Sequence, residues 1–183
     1  EGVVVRGVAG QRDNYRPLQS TLCDDAAPGE IARALKNTFG FLDIYIADLD
    51  AIAGGPPNYE EYQAIIDAGF SMWVDAGVAN VSRVLELADW SNNGATIGRI
   101  VIALETLESA EQLHLVCQKL DSARLVFSLD LKRGQSLSVA PAWRSADPLS
   151  IAEDVFCAGI RQMIVLDLAS VGAGQGTGTE NLC

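Results

Sequence analysis

The chain has 183 residues, of which 49% are hydrophobic and 20% charged, and its 24 acidic and 13 basic side chains give a formal net charge of −11. It is too apolar to be disordered, and no apolar run approaches the ~20 residues of a membrane-spanning helix. The acidic balance leaves no basic face for nucleic-acid phosphates. We therefore expect one globular domain with neither a nucleic-acid nor a membrane partner.

One unit repeats along the chain: a short apolar strand, a loop, an amphipathic helix and a glycine before the next strand. Strands are predicted over residues 42–47, 70–74, 99–104, 125–129 and 162–168. Helices are predicted from Pro28, then over residues 59–68, 81–88, 109–120 and 148–159. The aliphatic run 42–47 is typical of a core strand that is buried on both faces. Asp147-Pro148 is a favourable N-cap and first-turn pair.

This strict alternation predicts a parallel sheet with crossover helices. The strand starts are about 28 residues apart, except across one enlarged loop, and eight such units would total about 225 residues, near the ~250 typical of a (β/α)8 barrel. A doubly wound open sheet alternates in the same way but usually has a glycine-rich turn after its first strand. No such turn follows residue 48, so the α/β class with a (β/α)8 barrel is favoured.

A carboxylate follows each of the five predicted strands. These residues are Asp48 with Asp50, then Asp75, Glu105, Asp130 and Asp167. Barrel active sites are built at this end of the strands, and converging like charges raise some pKa values, which suits proton transfer. The acids could instead hold a hard cation such as Mg²⁺. Taken one at a time, each could simply cap the next helix.

Three further features lie on the same side of the predicted sheet. Lys132 shares a strand face with Asp130, so the two could act as acid and base, or Lys132 could form a Schiff base with a carbonyl substrate. A solvated ion pair at the strand end is the alternative. The glycine-rich segment 172–178 leads into another predicted helix and could cradle an anion. The loop 132–147 is expected to be a lid, with Trp143 either a stacking surface or its anchor.

The cysteines and the single histidine argue against a structural metal. Cys23, Cys117, Cys157 and Cys183 contain no CxxC pair, and His114 stands alone, so a zinc site is not expected. In a chain with this much core they are expected to be buried thiols of a reducing compartment. The first residues do not have the pattern of a signal peptide. These features predict a cytoplasmic protein.

Four motifs occur in order along nearly the whole chain. They are Gly2-Val3-Val4-Val5-Arg6, Asp48-Leu49-Asp50-Ala51-Ile52-Ala53-Gly54, Leu129-Asp130 with Gly134, and Asp167-Leu168 with Gly172 and Gln175-Gly176. They resemble the G-x-x-V-R hairpin and the D-L-D/N-G-A-x-x-G, L-D-x-x-x-G and D-I-x-x-x-G-x-x-Q-G strand ends of the HisA and HisF barrels of histidine biosynthesis. HisA is phosphoribosylformimino-aminoimidazole-carboxamide ribotide isomerase.

The resemblance implies a barrel that binds a phosphorylated sugar and uses two aspartates as acid and base in an Amadori-type isomerisation. One of these aspartates corresponds to Asp130, and the other would precede Glu1. No cofactor and no metal are implied. From the strand ends and the resemblance together, we predict catalytic roles for Asp130, Asp50, Asp167 and Lys132. We predict substrate or phosphate contacts at Asp48, Gly77, Glu105, Trp143, Gly172, Gln175 and Gly176.

Some positions depart from the family pattern. Asp75-Ala76-Gly77 stands where the family has a G-G-G phosphate loop, and a carboxylate there repels a phosphate. Leu166 and Ala169 replace a threonine and the usual second aspartate. Three hypotheses therefore stay open. They are a HisA-like isomerase of a phosphorylated aminosugar, an aldolase or lyase of the ribulose-phosphate-binding barrels that uses Asp130 and Lys132, and a non-catalytic binding protein.

By period and by motif, the 183 residues are expected to form a single but partial barrel domain. It would hold the hairpin after strand one and strands two to six of eight. Such a barrel leaves two open strand edges with unpaired backbone groups. The 183 residues are therefore expected to be part of a longer reading frame or an ordered part of a longer chain. The alternative is self-association, in which two copies complete one another.

Overall fold

The computed structural model describes residues 2–174 and Gly176. Within that part of the chain, one sheet contains five parallel strands, numbered along this chain: β1 (Asp43–Ala47), β2 (Ser71–Asp75), β3 (Arg99–Ala103), β4 (Leu125–Lys132) and β5 (Met163–Asp167). Neighbouring strands in the sequence are neighbours in the sheet. The sheet curls, with helices on its outer side, so the chain forms part of a (β/α)8 barrel, as predicted.

Helix α1 (Pro28–Phe39) precedes β1, and the other helices lie in the crossovers between the parallel strands. They are α2 (Leu49–Ile52), α3 (Tyr59–Asp67), α4 (Val81–Asp89), α5 (Ala110–Lys119) and α6 (Pro148–Ala158). The predicted N-cap of α6 is confirmed, because the Asp147 carboxylate accepts a hydrogen bond from the Leu149 amide. The Ser109 hydroxyl caps α5 in the same way. These caps satisfy amides that have no partner within the helix.

Short two-residue strands form hairpins beside the main sheet. Val5–Arg6 pairs with Arg16–Pro17, Ser91–Asn92 pairs with Ala95–Thr96, and Gln135–Ser136 pairs with the end of β4. The stretch 91–94, predicted as a loop, is therefore a hairpin turn. Its central residues Asn93 and Gly94 both have positive φ, at 50° and 81°, which is the backbone that a two-residue hairpin turn requires.

The alternation of side chains along β4 defines the two faces of the sheet. Leu125, Phe127 and Leu129 belong to the apolar cluster that packs against the helices. Ser128 and Asp130, at the intervening positions, point to the opposite, interior face. Residues that are paired in register on neighbouring strands lie on the same face of the sheet. Each strand therefore has one face toward the helices and one toward the barrel axis.

The prediction that the first long strand is buried on both faces is wrong. Strand β1 alternates between exposed and half-buried residues, and Leu42, just before it, is 67% exposed. The reason is position: among the described residues, β1 pairs only with β2 and forms an edge of the sheet. Only its helix-facing side chains, Ile44 and Ile46, pack against the core.

The predicted burial of the cysteine thiols is also wrong for the described cysteines. Cys157 is exposed and Cys23 and Cys117 are half-buried. Cys157 lies next to the exposed Phe156 on α6, whose buried residues are Ile151 and Val155. Cys183 lies outside the described residues. No helix in the described part of the chain is long and apolar enough to cross a membrane.

Candidate active site

Two buried aspartates lie on the interior face at the C-terminal ends of their strands. Asp75 is the last residue of β2 and is 4% exposed, and Asp130, near the end of β4, is 3% exposed. Asp130 Oδ1 accepts a hydrogen bond from Ser128 Oγ at 2.6 Å, and its Oδ2 accepts one from the Glu105 amide at 3.2 Å. The site thus brings together the ends of β2, β3 and β4, where a barrel carries its chemistry.

Both aspartates hold a proton more tightly than an exposed aspartate does. Burial raises the pKa of Asp75 to about 7. The Gly77 amide opposes this rise, and the charges of Asp130 and Glu105 add to it. Burial likewise raises the pKa of Asp130 to about 6, although the Ser128 hydroxyl stabilises its charged form. Both carboxyls therefore titrate near neutral pH, where proton transfer is most useful.

Two residues that sequence reasoning did not select complete the site. Tyr45 of β1 lies on the same face of the sheet as Asp75, and desolvation followed by the charges of Asp75, Asp130 and Glu105 raises the pKa of its phenol. Arg12 Nη2 lies 2.8 Å from Glu105 Oε1, 93 residues away along the chain. The alternation of β1 could have indicated Tyr45, since every second residue shares a face. No local pattern indicates Arg12.

Arg12 reaches the site because the N-terminal segment packs on the loop after β5. The Ala9 amide donates to the Val171 carbonyl at 2.8 Å. Gly172 has a φ of 70°, and a Cβ built there would lie 2.0 Å from the Gly7 carbonyl oxygen. Gly172, predicted as a phosphate contact, is therefore required for this close approach of two backbone segments.

Asp48, predicted as a substrate contact, faces the helices rather than the barrel interior. Its carboxylate accepts hydrogen bonds from the Ala51 amide at 3.2 Å, the Asn58 amide at 2.8 Å, the Asn58 side chain at 2.7 Å and the Tyr62 hydroxyl at 2.5 Å. These donors tie the end of β1 to α2 and α3. The lone pairs of Asp48 are thus engaged in holding the fold.

Asp167, predicted as catalytic, also faces away from the interior. It accepts amide hydrogen bonds from Arg133 at 3.0 Å, Gly134 at 2.8 Å and Ala169 at 2.9 Å. Burial alone would raise the pKa of Asp167, but these amides outweigh it and hold the pKa below its usual value. The carboxylate therefore fixes the turn beyond β4 and does not join Asp75 and Asp130.

Trp143, predicted as either a stacking surface or a lid anchor, is an anchor. Its indole is buried, donates to Asp154 Oδ2 at 3.0 Å and packs edge-to-face on Phe127 with ring centroids 6.3 Å apart. Phe127 lies on the helix side of β4, opposite Asp130. Trp143 therefore pins the loop 132–147 to the core and is remote from the interior face.

Gly77, predicted as a phosphate contact, packs too closely against α2 for a side chain, and its amide donates a hydrogen bond to Asp75. A Cβ at this position, where φ is 66°, would lie 2.8 Å from both Ala51 O and Ile52 Cα of α2. Its amide donates to Asp75 Oδ1 at 3.2 Å. An anion placed at this amide would meet the Asp75 carboxylate, and the like charges would repel.

The remaining predicted residues lie around the rim of the site or outside the described chain. Glu105 joins the interior group through Arg12 and Asp130. Lys132 is exposed at the end of β4, and no contact within the described chain links it to Asp130. Asp50 is exposed in the first turn of α2, and Gly176 is exposed. Gln175 and the helix predicted after residue 178 lie outside the described residues.

Among the described residues, no group of three or more histidines, cysteines, aspartates and glutamates is arranged to hold a metal ion.

The model of the histidine biosynthesis protein family matches residues 1–183, the entire length of the chain. The chain belongs to this family. Histidine biosynthesis proteins of this family include isomerases and cyclase-type enzymes.

A protein of Methanocaldococcus jannaschii, named uncharacterized protein MJ0703, is 31% identical over 187 residues, which cover 97% of this chain and 69% of that protein. Among solved structures, "The structure of MppP soaked with the product 2-ketoarginine" is 14% identical, covers 76% of this chain and has a TM-score of 0.31. The chain spans only 35% of that protein's length. A TM-score this low does not indicate a shared fold.

Proposed function

We propose that the protein is a HisA-like isomerase that moves protons on a phosphorylated aminosugar, with Asp130 as a catalytic acid and base. The observation that carries the proposal is the setting of Asp130. It is buried on the interior face at the C-terminal end of β4, it is held by Ser128 and the Glu105 amide, and burial raises its pKa to about 6. A carboxyl with such a pKa can both take and give a proton near neutral pH.

The reaction is an internal rearrangement that needs no oxidant or reductant. An acid protonates the ring oxygen of a sugar that carries an amine on C1, the C1–O bond breaks, and the nitrogen lone pair forms a C=N bond. A base then takes the proton from C2, the C–H electrons form a C1=C2 bond, and the lone pair returns to nitrogen. Protonation at C1 and loss of the C2 hydroxyl proton give the aminoketose.

The phosphate of this substrate is expected to bind away from Gly77. The amide of Gly77 already donates to Asp75, and a phosphate there would lie against a carboxylate that is ionised above its pKa of about 7. The proposed substrate therefore keeps the aminosugar chemistry implied by the resemblance while its phosphate is held by other parts of the protein.

The test is turnover of a phosphorylated ribosyl glycosylamine by the full-length protein. Asp130→Asn keeps the shape of the side chain but cannot transfer a proton, so kcat is expected to fall by about 10²–10⁴-fold. Glu153→Gln, a carboxylate-to-amide change at an exposed position of α6, is the matched control and should leave kcat unchanged. Absence of turnover by the unmodified protein, or an unchanged rate in Asp130→Asn, would contradict the proposal.

A further inference from the structure

We propose that Asp75 is a further catalytic residue of this site, which acts as a proton donor while Asp130 acts as a base. This role rests on the proposed function for its reaction. Asp75 ends β2 on the interior face, Asp130 lies on the same face near the end of β4, and both are buried. Ala47, two residues beyond Tyr45, pairs in register with Asp75, which places the Tyr45 phenol on the same face.

The contacts of Asp75 differ from those of a carboxylate that holds the fold together. Within the described chain, its carboxylate accepts a hydrogen bond from the Gly77 amide at 3.2 Å, and no arginine or lysine of the described chain forms an ion pair with it. Asp48, by contrast, has four donors at 3.2 Å or less. A buried carboxylate with so few donors is costly to keep ionised.

Titratable and charged groups from four parts of the chain surround Asp75. They are Tyr45 from β1, Glu105 from the end of β3, Asp130 from β4 and Arg12 from the N-terminal segment. The charges of Asp130 and Glu105 disfavour ionisation of Asp75, and the Arg12 guanidinium favours it less strongly. Together with burial, the arrangement favours a proton on Asp75.

The hydrogen-bond donors assign the roles. The Ser128 hydroxyl and the Glu105 amide stabilise the ionised form of Asp130, whereas the Gly77 amide is the one such donor to Asp75 among the described contacts. Asp75 is therefore the residue that keeps its proton more readily, and the pKa values of about 6 for Asp130 and about 7 for Asp75 have the same order. Asp75 can then donate its proton to the ring oxygen while Asp130 takes the C2 proton. In the second half of the reaction Asp130 gives this proton to C1, and Asp75 takes the hydroxyl proton of C2. Both residues return to their starting states.

The test compares Asp75→Asn with Asp43→Asn in the full-length protein. Asp43 begins β1, four residues before Ala47 at the opposite end of the sheet, where it contacts Trp73 and Arg99, so it is the matched control. Asp75→Asn is expected to lower kcat by about 10²–10⁴-fold with KM nearly unchanged. It should also remove the loss of kcat/KM on the alkaline side of pH 7, whereas Asp43→Asn should leave both unchanged.

Asp75→Glu is the second variant, because it keeps a titratable group at this position. It should restore the alkaline limb of the pH profile even if its rate is low, which a purely structural role of Asp75 would not predict. If the unmodified protein turns over the glycosylamine and Asp75→Asn does so at the same rate with the same pH profile, Asp75 is not catalytic and the proposed isomerase stands. If the unmodified protein has no turnover, the proposed function itself fails.

Discussion

The carboxylates at the strand ends form two groups with opposite surroundings. Asp75 and Asp130 point to the barrel interior, and burial outweighs their hydrogen bonds and raises their pKa values. Asp48 and Asp167 point toward helices or turns, and each accepts at least three hydrogen bonds. The same residue type at the same end of a strand is thus either a buried acid that holds its proton or a hydrogen-bonded tie in the fold.

The difference arises from which face of the strand the residue occupies. Successive residues of a strand alternate between faces, so a shift of one position moves a carboxylate from the interior to the helix side. On the helix side, backbone amides at helix starts and turns are available as donors. On the interior face of this sheet the donors that reach Asp75 and Asp130 do not offset burial, so burial dominates the pKa of each acid.

The largest effect on stability is expected from Asp48→Ala. It leaves the buried Tyr62 hydroxyl and the amides of Ala51 and Asn58 without their acceptor. The free energy of unfolding, measured by urea denaturation, should fall by about 3–5 kcal/mol. Tyr62→Phe removes one of the donors and should cost about 1–2 kcal/mol. A loss below about 1 kcal/mol in Asp48→Ala would show that Asp48 is not a structural tie.

Asp75→Asn should raise the free energy of unfolding at high pH, whereas Asp48→Ala lowers it. Because the folded-state pKa of Asp75 is raised to about 7, its contribution to stability is present below the unfolded pKa near 4 and is lost as the pH rises through 7. The amide cannot ionise, so the variant should be more stable than the unmodified protein by about 4 kcal/mol at pH 8, which corresponds to a rise of about three pKa units. At pH 4 this gain should be absent. Equal stability differences at both pH values would contradict the raised pKa.

The smallest loss in the free energy of unfolding is expected from Asp167→Asn, which weakens the turn at Arg133 and Gly134 beyond β4. The pKa of Asp167 is lowered, so its contribution is present above the unfolded pKa and is lost as the pH falls through the folded value. At pH 7 the variant should lose about 1–2 kcal/mol. The Arg133 and Gly134 amides should then exchange hydrogen faster, while the Leu149 amide, capped by Asp147, serves as the internal control. Unchanged exchange at Arg133 and Gly134 would contradict the assigned role.

The sequence allowed the order of strands and helices to be predicted, because apolar periodicity and caps are local signals. The carboxylate after each predicted strand was also visible in the sequence, and it correctly predicted that Glu105 and Asp130 lie close together. The face of the sheet on which each acid lies was harder to predict. Asp48 and Asp167 lie at or just past the strand ends, where a shift of one residue moves a side chain to the other face. The ion pair between Arg12 and Glu105 could not be predicted, because it depends on how the N-terminal segment packs.

Trp143 illustrates a second limit. A loop aromatic near a site can stack on a ligand or fill the core, and the sequence does not distinguish the two. The structure places its ring against Phe127 and its indole nitrogen on Asp154, so the distinction depends on a tertiary contact. The burial of β1 was mispredicted for a similar reason, because whether an apolar strand lies at the edge of a sheet is set by its neighbours.

The most direct test of the division between the two groups is a carboxyl-carbon NMR titration of the full-length protein, with aspartates assigned by Asp-to-Asn variants. We expect Asp75 to titrate near 7 and Asp130 near 6, and Asp167 to titrate below its usual value. Titration of Asp75 and Asp130 near 4, together with Asp167, would contradict the division and with it the proposed roles of the interior pair.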